Sequence, residues 1–197
     1  MKQTLSTGLI AIFAIAALSF TNGTTTYKVN AEQSKIAWTG KKVTGSHTGF
    51  VKISSGSLTL KDEKITAGTF DMDMNTITNT DVTDKGYNEK FVGHLKSDDF
   101  FSTAKYPKST FVLTKSISKG NGLYDVTGNL TIKNITNEVT FPATITADGK
   151  QLKGSAQITV DRTKFDIKYG SGSFFDNLGD KAIDNNFILD VNLVAAK

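Results

Sequence analysis

Two histidines, His47 and His94, are the only imidazoles in the chain, and there is no cysteine. Transition-metal sites draw on His and Cys ligands. These two stand almost fifty residues apart, one in a turn-like context and one in a helical one. Such a pair does not build a catalytic zinc centre. A hydrolase nucleophile on a Gly-x-Ser-x-Gly elbow is absent, and so is a Gly-x-x-x-x-Gly-Lys-Ser/Thr phosphate loop.

Asp71-Met72-Asp73-Met74-Asn75 begins like a calcium loop. That loop needs a glycine next and a glutamate six residues further on, where this chain has Thr76 and Val82. The same residues alternate apolar and polar, which places the aspartates on the wet face of a strand. The glycines of Tyr169-Gly170-Ser171-Gly172-Ser173-Phe174-Phe175 lack the third glycine of a dinucleotide fingerprint. That segment reads as a bent loop between the last two strands, or as a rim whose Phe174 and Phe175 close an opening. Arg162 is the one arginine among 23 basic residues. Its planar fork either holds a strand end through a carboxylate or meets a polar headgroup. His94, near the end of a helical segment, either caps it or faces an opening.

The elements that must position these residues are nearly all strands. Period-two alternation marks residues 69–75, 139–145 and 187–193, each with one apolar and one polar face. Further strands are expected over 27–30, 35–41, 50–53, 57–60, 109–118, 124–132 and 151–160. Ser55-Gly56, Lys119-Gly120-Asn121-Gly122 and Asp148-Gly149 read as hairpin turns between them. Residues 83–96 are the exception. Tyr87, Phe91 and Leu95 fall four apart, so a short helix over 85–95 should present one apolar face and lie across one end of the sheet.

The first residues read as a leader. Lys2 gives a positive start, and residues 8–18 are an apolar run of signal-peptide length. A bilayer span needs roughly 20 apolar residues, so residues 1–23 are expected to be cleaved and the protein exported, to a periplasm or outside the cell. Residues 24–197 then form one domain, held by packing and strand pairing without disulfides. The formal charge of +4, or about +3 without Lys2, suits an ordinary surface and not a nucleic-acid footprint.

The longest ordered features are Gly93–Phe111, GHLKSDDFFSTAKYPKSTF, and Gly128–Pro142, GNLTIKNITNEVTFP. With Trp38–Leu58 and Asp161–Ala195 they make the chain resemble the YceI-like family. The matching positions are His94, Leu95, Asp99, Phe100, Phe101, Tyr106, Pro107 and Phe111, then Gly128, Leu130, Thr131, Thr136, Val139 and Phe141, then Asp161, Arg162 and Phe165. The Lys42 to Gly49 hairpin is shorter and more polar than in many members. The resemblance implies an all-β fold, an elongated eight-stranded antiparallel lipocalin-like barrel. It also implies a polyisoprenoid, isoprenoid quinone or other long-chain lipid bound along the axis, with no chemistry performed, no cofactor and no metal.

Strands of about ten residues at roughly 3.3 Å each make such an interior long and narrow. The expected tunnel wall is Trp38, Phe70, Met72, Met74, Phe91, Leu95, Phe100, Phe111, Leu113, Phe141, Phe165, Phe174 and Phe187, with His94 and Arg162 at the headgroup or rim. Partners are then the lipid itself and transient contacts with a membrane or membrane proteins, by a monomer or a side-to-side homodimer. Three other readings stay open. One is a small outer-membrane barrel, against which the single Trp and the polar strand faces argue. The others are an enzyme using the cavity and a packed barrel that binds a protein.

Overall fold

The computed structural model describes residues 23–62 and 64–197. The leader expected over 1–23 therefore lies outside the described residues except for Gly23. Strands dominate: β1 (Thr24–Val29), β2 (Lys35–Lys42), β3 (Gly45–Lys61), β4 (Lys64–Asp73), β5 (Lys108–Gly120), β6 (Leu123–Ile132), β7 (Ile135–Ala147), β8 (Gln151–Asp161) and β9 (Ile183–Ala196), with one helix, α1 (Lys85–Lys96), before β5. All neighbouring strands are antiparallel. The sheet closes because β3 pairs with β2 through its first part and with β4 from Lys52 onward, while β9 joins β2 to β8.

β1 and β2 run the same way along β3, opposite residues 57–61 and 45–51 respectively. They are one barrel position broken in two. The break is an Asx turn, in which the Asn30 side chain accepts from the Glu32 and Gln33 amides. Among the described residues the architecture is thus a closed eight-stranded antiparallel barrel with one α-helix, as the resemblance implied.

Ser55-Gly56 is not a turn. β3 runs straight through it, with a bulge that leaves Ser54 without a partner between Ile53↔Met72 and Ser55↔Asp71. The extra residue shifts the inward positions from odd to even, so Val51 and Ile53 are buried before the bulge and Leu58 and Leu60 after it. Gly56 is there for close packing: a Cβ would stand 2.8 Å from Phe70 Cδ1. The strand read over 69–75 also stops early, at Asp73. The Asp73 carboxylate accepts from the Asn75 amide and starts a 3-10 turn, Met74–Thr76.

α1 starts where Asp84 accepts from the Tyr87 amide at 2.7 Å and ends where the Ser97 hydroxyl donates to His94 O. Only its second half meets the barrel. Phe91, Val92 and Leu95 pack into the main core, while Tyr87, expected on the same face, is exposed. Several segments gather with α1 at one barrel end, which we call the capped end. The β2–β3 turn and the segment after β8 meet there through the Lys42↔Ile183 and Asp161↔Asn186 pairs. The β6–β7 turn joins them, Lys133 Nζ donating to Asp166 O. Lys133 and Asn134 both have positive φ, the signature of a type I′ hairpin that the sequence reading passed over.

Candidate functional site

Inward-facing positions of β2 to β9 converge on two cavities, of about 120 Å³ under the capped end and about 110 Å³ beyond it. Ile36, Met72, Leu130 and Leu189 line both, so the cavities abut end to end as two chambers of one tunnel. Along β9 the lining runs from Ile183 to Leu193. Ten residues span about 33 Å of strand, or roughly 25 Å along the axis at the tilt of a closed barrel.

Both ends are stoppered by packed side chains. Ile77, Phe165 and Ile167 belong to the buried cluster at the capped end. Tyr27, Leu60, Ile65 and Leu152 close the far end.

The two chambers differ in chemistry. No ionisable side chain lines the far chamber, whose wall is built from Phe70, Phe111, Leu113, Val126, Phe141, Ile158 and Leu193. The capped chamber is lined by Trp38, Val51, Met74, Leu95, Phe100 and Phe187, but Ser109 and Arg162 also reach it, and the exposed positions Asp184 and Asn186 of β9 border it. Ten of the thirteen wall residues expected from sequence therefore line a chamber: Trp38, Phe70, Met72, Met74, Leu95, Phe100, Phe111, Leu113, Phe141 and Phe187.

Phe91, Phe165 and Phe174 do not line a chamber. Phe91 packs against the core outside either lining, 4.6 Å from the His47 ring. Phe165 is wholly buried in the stopper. Phe174 is 49% and Phe175 50% exposed, because the Ser171 carbonyl turns their backbone outward by accepting from both amides.

Arg162 is an internal clamp and not a rim residue. It is 4% exposed, and its Nε, Nη1 and Nη2 donate to four backbone carbonyls, of Asp184, Ile167, Tyr169 and Ile183. Burial pushes its pKa down, partly offset by the charges of Asp161 and Asp184, and a guanidinium stays protonated regardless. The four bonds tie the segment after β8 to the start of β9, which fixes the floor of the cap. Sequence reasoning left this role open beside a headgroup contact.

His94 lies outside the chambers. Its Nε2 meets Asp99 at 3.0 Å, and its ring stands edge-on to Phe100 and Tyr169. His47 Nδ1 meets Asp81 at 2.7 Å, and Asp81 also accepts from the Thr48 amide and from Asn79 Nδ2. Burial alone would raise the Asp81 pKa, but these donors outweigh it and hold the carboxyl below its ordinary value. The network straps residues 77–81 to β3, helped by Trp38 Nε1 donating to Thr78 O at 3.1 Å.

Ser109 was missed by sequence reasoning. It is 3% exposed, and its hydroxyl has no hydrogen-bond partner among the described residues. A signal existed, since Ser109, Phe111 and Leu113 alternate on one face of β5. The site thus offers a long apolar bore, one unsatisfied hydroxyl and no nucleophile–base pair in either lining, an arrangement suited to holding a chain-like molecule by apolar burial at about 25 cal/mol per Å².

Comparison with known proteins agrees with this architecture. The model of the YceI-like domain matches residues 27–195. A UPF0312 protein of Vibrio parahaemolyticus is 31% identical over 144 residues, covering 66% of this chain and 74% of that one. A UPF0312 protein of Staphylococcus aureus is 40% identical over 89 residues, covering 42% of this chain and 49% of that one. Among solved structures, Burkholderia cenocepacia BcnA superposes with a TM-score of 0.68 at 25% identity, over 85% of this chain and 99% of that one. A polyisoprenoid binding domain from Saccharophagus degradans gives 0.62 at 13% identity, over 86% and 97%. With its barrel, its motifs and the match across nearly all of the described residues, the chain belongs to the YceI-like family.

Proposed function

We propose that the protein binds one long hydrophobic molecule, a polyisoprenoid, an isoprenoid quinone or a related lipid, along the barrel axis. It acts as a carrier or buffer and performs no catalysis. The observation that carries this reading is the pair of abutting chambers, whose shared ring of Ile36, Met72, Leu130 and Leu189 joins two apolar linings into one bore. A similar fold described as a polyisoprenoid binding domain supports the ligand class. The outward positions of β7 are Thr136, Glu138, Thr140, Pro142 and Thr144. That polar surface disfavours an outer-membrane barrel, which turns its apolar residues outward. The leader-like start fits export to the periplasm, where such a carrier meets membranes transiently.

Trp38 supplies the test. It is the one tryptophan of the chain and lines the capped chamber. Titration with geranylgeraniol should change its fluorescence saturably, at one molecule per chain. A folded protein whose tryptophan emission stays unchanged and which takes up no prenyl lipid would overturn the reading.

A further inference from the structure

A buried hydroxyl without a partner loses its hydration with nothing in return, so an unsatisfied serine on the wall of a mainly apolar bore calls for an acceptor or donor supplied from outside the protein. Ser109 stands opposite Met72 across the β4–β5 pair, and Met72 belongs to the ring where the chambers meet. Its hydroxyl therefore sits beside the bore, close to the passage from one chamber into the other. The far chamber holds no comparable group: the one hydroxyl residue lining it is Ser155, on an outward-facing, exposed position of β8.

The geometry points to Ser109 as the hydrogen-bonding anchor for an uncharged oxygen of the bound lipid, which sets the lipid's polar end in the capped chamber and its chain in the far one. This rests on the lipid-binding reading above and adds the orientation and the headgroup class. An alcohol or a carbonyl fits. A phosphate fits poorly, because the one guanidinium that reaches the chamber has four of its five N–H donors engaged by backbone carbonyls. No lysine or histidine lines either chamber. An anion taken out of water is disfavoured where the one nearby cation is already tied to the protein and can offer it no paired set of donors.

The experiment compares three probes of like chain, presented from cyclodextrin and read by Trp38 fluorescence: geranylgeraniol, geranylgeranyl diphosphate and phytane. The wild-type protein should prefer geranylgeraniol to phytane by about 2–10-fold, the net worth of one neutral hydrogen bond. It should bind the diphosphate at least about tenfold more weakly than the alcohol. In Ser109→Ala the preference for the alcohol over phytane should fall to about one, and Ser109→Thr should restore it. The melting temperature of the ligand-free alanine variant, equal to or above wild type, shows that it folds.

An alcohol preference that survives Ser109→Ala, or diphosphate binding as tight as that of the alcohol, overturns the anchor and leaves the lipid-binding reading standing. Failure of all three probes to bind the wild-type protein overturns both.

Discussion

The ring of Phe111 lies directly over the bare α-carbon of Gly128 on the neighbouring strand, where a Cβ would fall 2.3 Å from Phe111 Cζ and 2.6 Å from Val112 O. Phe111 pairs with Leu130 in the ladder and reaches diagonally across to Gly128. The glycine is therefore what lets a large aromatic lie flat on the wall of the far chamber without filling it.

Gly128→Ala should destabilise the protein by about 1–3 kcal/mol through overpacking, since the backbone oxygen cannot yield as a flexible side chain would. Urea unfolding should show the midpoint falling. An unchanged midpoint would mean that the Phe111 ring relocates at no cost.

Met72 lines both chambers, so bulk added there should divide the bore. Met72→Trp should stay folded at a cost of about 1–3 kcal/mol and lose uptake of long prenyl chains. Undiminished uptake by a folded variant would remove Met72 from the passage.

Arg162→Lys should behave as a non-conservative change. An ammonium has three donors in a different geometry, so it cannot serve all four carbonyls that the guanidinium now satisfies. A loss of about 2–4 kcal/mol is expected, with hydrogen exchange rising first around residues 162–184. A variant as stable as wild type, with unchanged exchange there, would contradict the clamp.

The Asp81 strap should weaken in acid. Its folded pKa lies below the ordinary value of 3.8, so the unfolded chain takes up the proton more readily. The strap's contribution is then fully present above pH 3.8 and is lost as the pH falls through the lower folded value. Trp38, bonded to Thr78 in the strapped segment, reports on it. Its emission should change over that acid range in wild type, and Asp81→Asn should remove the change. The same acid transition in the variant would assign it to another carboxylate.

The alternation on β4, β7 and β9 was legible in the sequence because a closed barrel has one dry and one wet face along each strand, and side chains obey a period of two. Ser55-Gly56 misled because a bulge beside a close-packed glycine uses the same residue types as a hairpin turn. Phe174 and Phe175 misled for the opposite reason. Aromatic residues in a glycine-rich loop read either as part of a bent loop or as a rim closing the mouth, and hydrogen bonds to Ser171, a contact no local pattern announces, decide for the bent loop. Ser109 could have been placed inward by parity with Phe111, but its missing partner is a property of the whole interior. The role of Arg162 likewise depends on carbonyls from two segments that only the folded chain brings together.

The most direct test of the central claim is native mass spectrometry of the protein after incubation with geranylgeraniol, repeated after organic extraction. One lipid bound per chain, retained under native conditions, released on denaturation and absent from folded Met72→Trp, is the predicted result. A folded wild-type protein whose mass stays that of the polypeptide alone at every lipid concentration would contradict the account, and the barrel interior would then be packed core and not a binding tunnel.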